Sequence, residues 1–216
     1  MRDYIIEQIE KSKIIAIVRG IEKNKILNVA EALYEGGIRL MEITFNQKNP
    51  EKFPDTTEAI KTIAEEFEGR MLVGAGTVTT PELVEMAADA GAKYIISPDT
   101  NLDVIRRTLK YGLVSIPGAM TPTEIMAAHN AGADFVKLFP SGNLGVDYIK
   151  AIRAPISHIR LLAVGGINEN NIRQFLDAGM CGAGIGSNLV NGRWIENAEY
   201  DKITNAAKML VSAISK

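Results

Sequence analysis

Apolar residues fall into two alternating patterns from one end of this chain to the other. Short runs rich in β-branched side chains lie at Ile14 to Val18, Leu40 to Thr44, Met71 to Gly74, Tyr94 to Ser97, Val114 to Pro117, Phe135 to Phe139, Arg160 to Val164 and Gly182 to Gly186. Amphipathic stretches of helical length separate and follow them: Lys25 to Glu35, Thr56 to Phe67, Pro81 to Ala90, Leu102 to Tyr111, Thr123 to Ala131, Val146 to Ile152, Glu169 to Ala178 and Tyr200 to Ile214. In the first of these, Ile26, Val29, Ala30 and Leu33 share one face at helical spacing. Strands without strict apolar–polar alternation are buried on both faces, which argues for a parallel sheet covered by helices. Eight strand–helix units favour closure into a (β/α)₈ TIM barrel over an open doubly wound α/β sheet. Tyr4 to Ile9 is expected to add an N-terminal helix that closes the barrel floor, and residues 1–216 are expected to form a single barrel domain.

Punctuation supports these limits. Glu35-Gly36-Gly37-Ile38, Asp89-Ala90-Gly91-Ala92, Asn130-Ala131-Gly132-Ala133 and Asp177-Ala178-Gly179-Met180 each place glycine where a helix ends and a strand is about to begin. Thr80-Pro81-Glu82 and Thr121-Pro122-Thr123-Glu124 put proline at the first helical position.

Composition narrows the classes of function. A chain of 216 residues, 46% hydrophobic, can bury a full core as one unit. A formal net charge of −2 offers no basic field for nucleic acid, and no polybasic segment would seek an anionic membrane. The one cysteine, Cys181, excludes an intramolecular disulfide framework. The N-terminus has no signal-like apolar core, and no run is long enough to span a bilayer, so a cytoplasmic location is expected.

In a parallel barrel the C-terminal strand ends converge on one mouth, where the chemistry of the fold is done. In strand order these ends carry Arg19, then Glu42 and Thr44, then Gly74-Ala75-Gly76-Thr77, Ser97-Pro98-Asp99, Pro117-Gly118, Lys137, Gly165-Gly166 and Gly186-Ser187. Lys137 is the cation in the otherwise apolar run Phe135-Val136-Lys137-Leu138-Phe139-Pro140. Burial lowers an amine's pKa and can leave it a neutral nucleophile near pH 7; a snorkelling or ion-paired structural lysine is the equal alternative. Glu42 is a second ionisable group inside a strand, suited to proton transfer or to a structural ion pair with Lys137. Gly165 and Gly166, with the helix expected after them and the hydroxyl of Ser187, match the anion site that barrels build from their last two loops.

These segments resemble the 2-keto-3-deoxy-6-phosphogluconate (KDPG) aldolases, with their hydroxy-oxoglutarate and phosphogalactonate (KDPGal) relatives. The resemblance spans nearly the whole chain and is carried by Ile17-Val18-Arg19-Gly20, Met41-Glu42-Ile43-Thr44, Val73-Gly74-Ala75-Gly76-Thr77-Val78, Ile96-Ser97-Pro98, Ile116-Pro117-Gly118, Val136-Lys137-Leu138-Phe139-Pro140, Val164-Gly165-Gly166 and Gly184-Ile185-Gly186-Ser187. It implies a class I aldolase that forms a Schiff base with pyruvate, needs no cofactor or metal, and assembles as a homotrimer. It also implies Lys137 as the imine-forming lysine and Glu42 as the proton shuttle, with Thr77, Pro98 and Phe139 lining the pyruvate pocket. Gly165, Gly166, Gly186 and Ser187 would hold the phosphate. The expected reaction is cleavage of KDPG to pyruvate and glyceraldehyde 3-phosphate, with 4-hydroxy-2-oxoglutarate as a further substrate.

Two positions depart from the gluconate pattern. Asn46 stands where some family members carry a carboxylate-binding arginine, a role that passes by resemblance to Arg19. Val164 stands where many have threonine, which is similar to the enzymes acting on the C4 epimer, 2-keto-3-deoxy-6-phosphogalactonate. Both epimers stay open at this point. So do two readings of another kind: a phosphate-binding barrel enzyme without a Schiff base, and a non-catalytic ligand-binding barrel. His129 and His158 make no metal spacing, Cys181 reads as a packed side chain, and Trp194 reads as cover for a subunit interface or the barrel edge.

Overall fold

The computed structural model describes residues 1–215. Its strands are β1 (Ile14–Arg19), β2 (Leu40–Thr44), β3 (Leu72–Gly76), β4 (Tyr94–Ile96), β5 (Val114–Ile116), β6 (Gly118–Ala119), β7 (Val136–Leu138), β8 (Leu161–Val164) and β9 (Gly182–Ile185). Helix α1 (Arg2–Ser12) precedes them. Helices α2 (Ile26–Glu35), α3 (Phe53–Glu66), α4 (Pro81–Asp89), α5 (Leu102–Lys110), α6 (Pro122–Asn130), α7 (Ser141–Arg153), α8 (Ile172–Asp177), α9 (Gly192–Glu196) and α10 (Tyr200–Ser215) carry the chain between and beyond them.

Every strand pairing is parallel, in the order β5-β4-β3-β2-β1-β9-β8-β7-β6. This order is a ring, because β5 and β6 are one strand interrupted at Pro117. Proline has no N–H to give the ladder. Its carbonyl still accepts the Lys137 N–H at 2.8 Å, and the Ser115 carbonyl accepts the Phe135 N–H at 3.2 Å, so the barrel closes across the break. The nine strand segments therefore form the expected (β/α)₈ barrel.

Two apolar layers hold it. The outer layer lies between strands and helices: Val29, Ala30 and Leu33 of α2 pack there with Ala16 and Val18 of β1. The inner layer fills the barrel itself with Ile15, Leu40, Tyr94, Ile96, Ile116, Phe135 and Leu162, and α1 seals it from below with Ile5 and Ile9. The Arg2 guanidinium pins α1 to the strands by donating to Asp134 at 2.7 and 3.2 Å, and Asp134 accepts the Ser115 N–H at 2.9 Å.

Some limits differ from the sequence expectation. Helix α1 extends beyond Tyr4 to Ile9 on both sides. Phe135 and Phe139 lie outside β7, and β3 starts one residue late and runs on to Gly76. Helix α8 starts at Ile172 rather than Glu169, because the Asn171 side chain accepts the Asn168 N–H at 2.8 Å and holds the intervening residues in a turn. Helix α9 is too short to leave a periodic signature. It is capped by Asn191, and its Trp194 packs on the outer layer.

Candidate active site

The C-terminal strand ends surround a cavity of about 590 Å³. Arg19, Glu42, Thr77, Pro98, Lys137, Phe139, Val164, Gly165, Gly166, Gly186 and Ser187 all line it, so the residues expected to carry catalysis and substrate binding meet there, whereas Thr44 and Asn46 do not line it. Ile17, Ile167, Gly184, Asn188 and Val190 line it as well and were not singled out. Ile17 could have been found by strand alternation, since it lies two residues before Arg19 on the same face. Asn188 carried no signal beyond its place next to Ser187.

Lys137 sits on β7 with only 9% of its surface exposed, over a floor formed by Ile15, Ile17, Ile96, Ile116 and Leu162. Burial among these side chains lowers its pKa; the Glu42 carboxylate opposes that shift and the Arg19 guanidinium adds to it. Glu42 is 2% exposed, and burial raises its pKa to about 7 against the smaller opposing pull of Lys137 and Arg19. Among the described residues, no ion pair involves Lys137, Glu42 or Arg19. The structural ion pair between Glu42 and Lys137 is therefore absent, and so is an acid paired with Arg19. The Lys137 amine stands 5.0 Å from the centre of the Phe139 ring, which forms one side of the mouth.

Two glycines of β3 make room for this arrangement. A Cβ at Gly74 would fall 2.2 Å from the ring of Tyr94, the largest fully buried side chain, whose hydroxyl donates to the Met41 carbonyl at 2.7 Å. A Cβ at Gly76 would fall 2.8 Å from the Glu42 carboxyl carbon and 2.9 Å from the Thr44 methyl. The carboxyl group thus occupies space that only a bare backbone leaves open.

Thr77, next in the chain, is held at φ 57°, a conformation that β-branched residues rarely adopt and that costs on the order of 1–3 kcal/mol. The Gln47 amide donates to its carbonyl at 2.9 Å. This local strain aims Thr77 into the mouth.

Across the cavity, Gly165 and Gly166 have φ of 89° and 75°, values that strongly favour glycine. Backbone without side chains here leaves a concavity that an anion can approach closely. Asn188 donates to the Ile167 carbonyl at 2.9 Å and ties the two last loops together, while Asn171 donates to the Gly166 carbonyl at 2.9 Å within the first of them. The helix expected to face this concavity begins only at Ile172, so the loop backbone and the turn at Gly186 to Val190 form it instead.

His129 and His158 meet edge to face with ring centres 5.2 Å apart. Among the described residues no group of three or more His, Cys, Asp or Glu side chains could hold a metal ion. Cys181 is half-buried against the inner layer, and burial raises its thiol pKa. Among the described residues no helix is long and apolar enough to cross a membrane.

Comparison with known proteins places this geometry. Residues 5–206 match the family described as KDPG and KHG aldolase. The chain is 39% identical over 180 residues to the 2-dehydro-3-deoxy-6-phosphogalactonate aldolase of Escherichia coli K12, covering 83% of this chain and 85% of that protein. A solved structure described as native KDPGal superposes with a TM-score of 0.83 at 37% identity, over 94% of each chain. The KDPG aldolase of Legionella pneumophila, solved with pyruvate captured as a covalent carbinolamine intermediate, superposes with a TM-score of 0.83 at 29% identity, over 92% of this chain and 94% of that one.

Proposed function

Because the chain belongs to the KDPG and KHG aldolase family and is a class I carbon–carbon lyase, we propose that it cleaves a phosphorylated 2-keto-3-deoxy sugar acid through an imine at Lys137. The observation that carries this reading is a buried amine with no counter-ion in contact, open to a cavity that it shares with a still more buried carboxyl group. Burial lowers the pKa of the amine and so favours its neutral, nucleophilic form, and the raised pKa of Glu42 lets one carboxyl group both take and return protons near neutral pH.

The steps follow from these two groups. The Lys137 amine adds to the C2 ketone to give a carbinolamine, which loses water to form the protonated imine. Glu42 takes the proton of the C4 hydroxyl, the C3–C4 bond breaks, and its electron pair moves into the imine to give an enamine. The aldehyde departs as a three-carbon phosphate. Glu42 returns the proton to C3, and water hydrolyses the imine to free pyruvate and regenerate the amine. Arg19 offers its fork to the substrate carboxylate, while Thr77, Pro98 and Phe139 border the pyruvate portion. The concavity of Gly165, Gly166, Gly186 and Ser187 receives the phosphate across the cavity.

The C4 galactonate epimer is the preferred substrate. Val164 presents two methyl groups and no hydroxyl to the wall between amine and anion loop, and Asn46 supplies no guanidinium. The Escherichia coli relative named for the galactonate substrate points the same way. The gluconate epimer is the second reading, supported by the Legionella pneumophila structure.

Two measurements test this. Borohydride reduction in the presence of pyruvate, followed by peptide mass mapping, is expected to place the label on Lys137; a folded protein that takes no label refutes the imine. A higher kcat/KM for the galactonate than for the gluconate epimer is expected, and the reverse ratio assigns the gluconate.

A further inference from the structure

The mouth holds a polar group that the steps above do not use. Thr44 lies on β2 two residues beyond Glu42, so both side chains point into the barrel. It is 3% exposed, and its Oγ1 has no hydrogen-bond partner. The only other buried side-chain polar atom in that condition among the described residues is Oε2 of Glu42. The Glu42 carboxyl carbon and the Thr44 methyl lie 2.8 and 2.9 Å from the point where a Gly76 Cβ would stand, so the two side chains are neighbours around that gap. Among the described residues, the Tyr94 hydroxyl is engaged with the Met41 carbonyl and no ion pair reaches the carboxyl group. The Thr44 methyl faces this gap, and a change of χ1 from one staggered position to another exchanges it for the hydroxyl.

We propose that Thr44 is a positioning residue for Glu42, its hydroxyl donating to the carboxylate and accepting from the carboxylic acid as the proton comes and goes. A hydroxyl can reverse its role in this way, whereas a backbone amide can only donate. This inference rests on the assignment of Glu42 as proton shuttle. The charged and titratable groups facing Glu42 are Lys137 from β7, Arg19 from β1 and Tyr94 from β4, and none is altered by a change at Thr44.

The test is the pH dependence of kcat. In the imine state Lys137 no longer titrates as a free amine, so the acid limb reports the base that takes the C4 proton. Thr44→Val removes the hydroxyl at nearly constant volume, and because the bond to the charged carboxylate is the stronger of the two, its loss raises the carboxyl pKa. The acid limb is expected to move upward by about one pH unit, with KM little changed. Thr44→Ser, which restores the hydroxyl, is expected to return the limb to its wild-type place. Thr44→Ala serves as a second deletion of the hydroxyl should valine fail to pack. An unmoved limb in the deletion variants, or an equal displacement in Thr44→Ser, overturns the positioning role. Glu42→Gln separates the two layers: a variant that turns over like wild type overturns the shuttle assignment and this inference together. An inactive Glu42→Gln beside an unmoved Thr44→Val overturns this inference alone.

Discussion

At the level of single residues, Lys137 and Glu42 pull the stability of the fold in opposite directions with pH. A carboxyl group whose pKa is raised from 4.5 to about 7 binds its proton more tightly in the folded chain. Its contribution is therefore complete below the unfolded value and is lost as pH rises through that window. An amine whose pKa is lowered contributes most at high pH and loses that contribution as pH falls through its folded value. Glu42→Gln removes the first titration, and Lys137 loses part of its counter-charge in exchange. This variant is expected to be nearly inactive yet more stable than wild type at pH 8, by on the order of 1–2 kcal/mol, with the gain shrinking toward pH 5. Thermal unfolding at the two pH values checks the sign. Lys137→Arg keeps a positive charge that cannot act as the nucleophile, so it is expected to abolish cleavage and borohydride trapping together while circular dichroism stays unchanged.

Elements matter here through what they leave out. Strand β3 turns two glycines inward, and each accommodates one bulky neighbour. Gly74→Ala would drive a methyl into the Tyr94 ring, so its main effect is on stability, with an expected loss of about 1–3 kcal/mol by chemical denaturation. Gly76→Ala would press on the Glu42 carboxyl group, so its main effect is expected on kcat, with the fold better preserved because a side chain rather than a packed ring must shift. Helix α6 gives a control among residues that do not line the cavity. Thr121 and Glu124 form a reciprocal capping box, and Glu124 accepts the Met120 and Thr121 N–H groups, which holds its pKa below the usual value. Thr121→Ala is expected to cost about 1 kcal/mol of stability with unchanged kcat.

For the whole molecule, closure of the ring is the property on which everything at the mouth depends. Helix α1 stoppers the end opposite the mouth, and Asp134, only 7% exposed, links it to the Ser115 backbone where the ring is interrupted. Arg2→Ala leaves that carboxylate buried without its counter-ion, and an expected loss of about 1–3 kcal/mol follows. Pyruvate trapping at Lys137 is expected to persist in this variant, since the lesion lies at the far end of the barrel; unfolding curves and mass mapping read the two effects separately.

The alternation of short β-branched runs with helical stretches pointed to a parallel sheet covered by helices and favoured the barrel, because each pattern reports burial that is local and periodic, while closure itself was decided by the strand pairing. Lys137 and Glu42 were legible for the same reason: an ionisable group inside an apolar run is a local anomaly. The glycine pair at 165–166 was legible as backbone chemistry, although the turn that delays helix α8 was not, since it depends on an asparagine folding back on its own loop. Only the tertiary structure decided that Lys137 and Glu42 form no ion pair, that Gly76 is bare because the carboxyl group needs its space, and that Thr44 and Glu42 share an unpartnered gap. Each of these depends on distances between strands remote in the chain, which the curvature of a closed sheet sets and no linear spacing encodes.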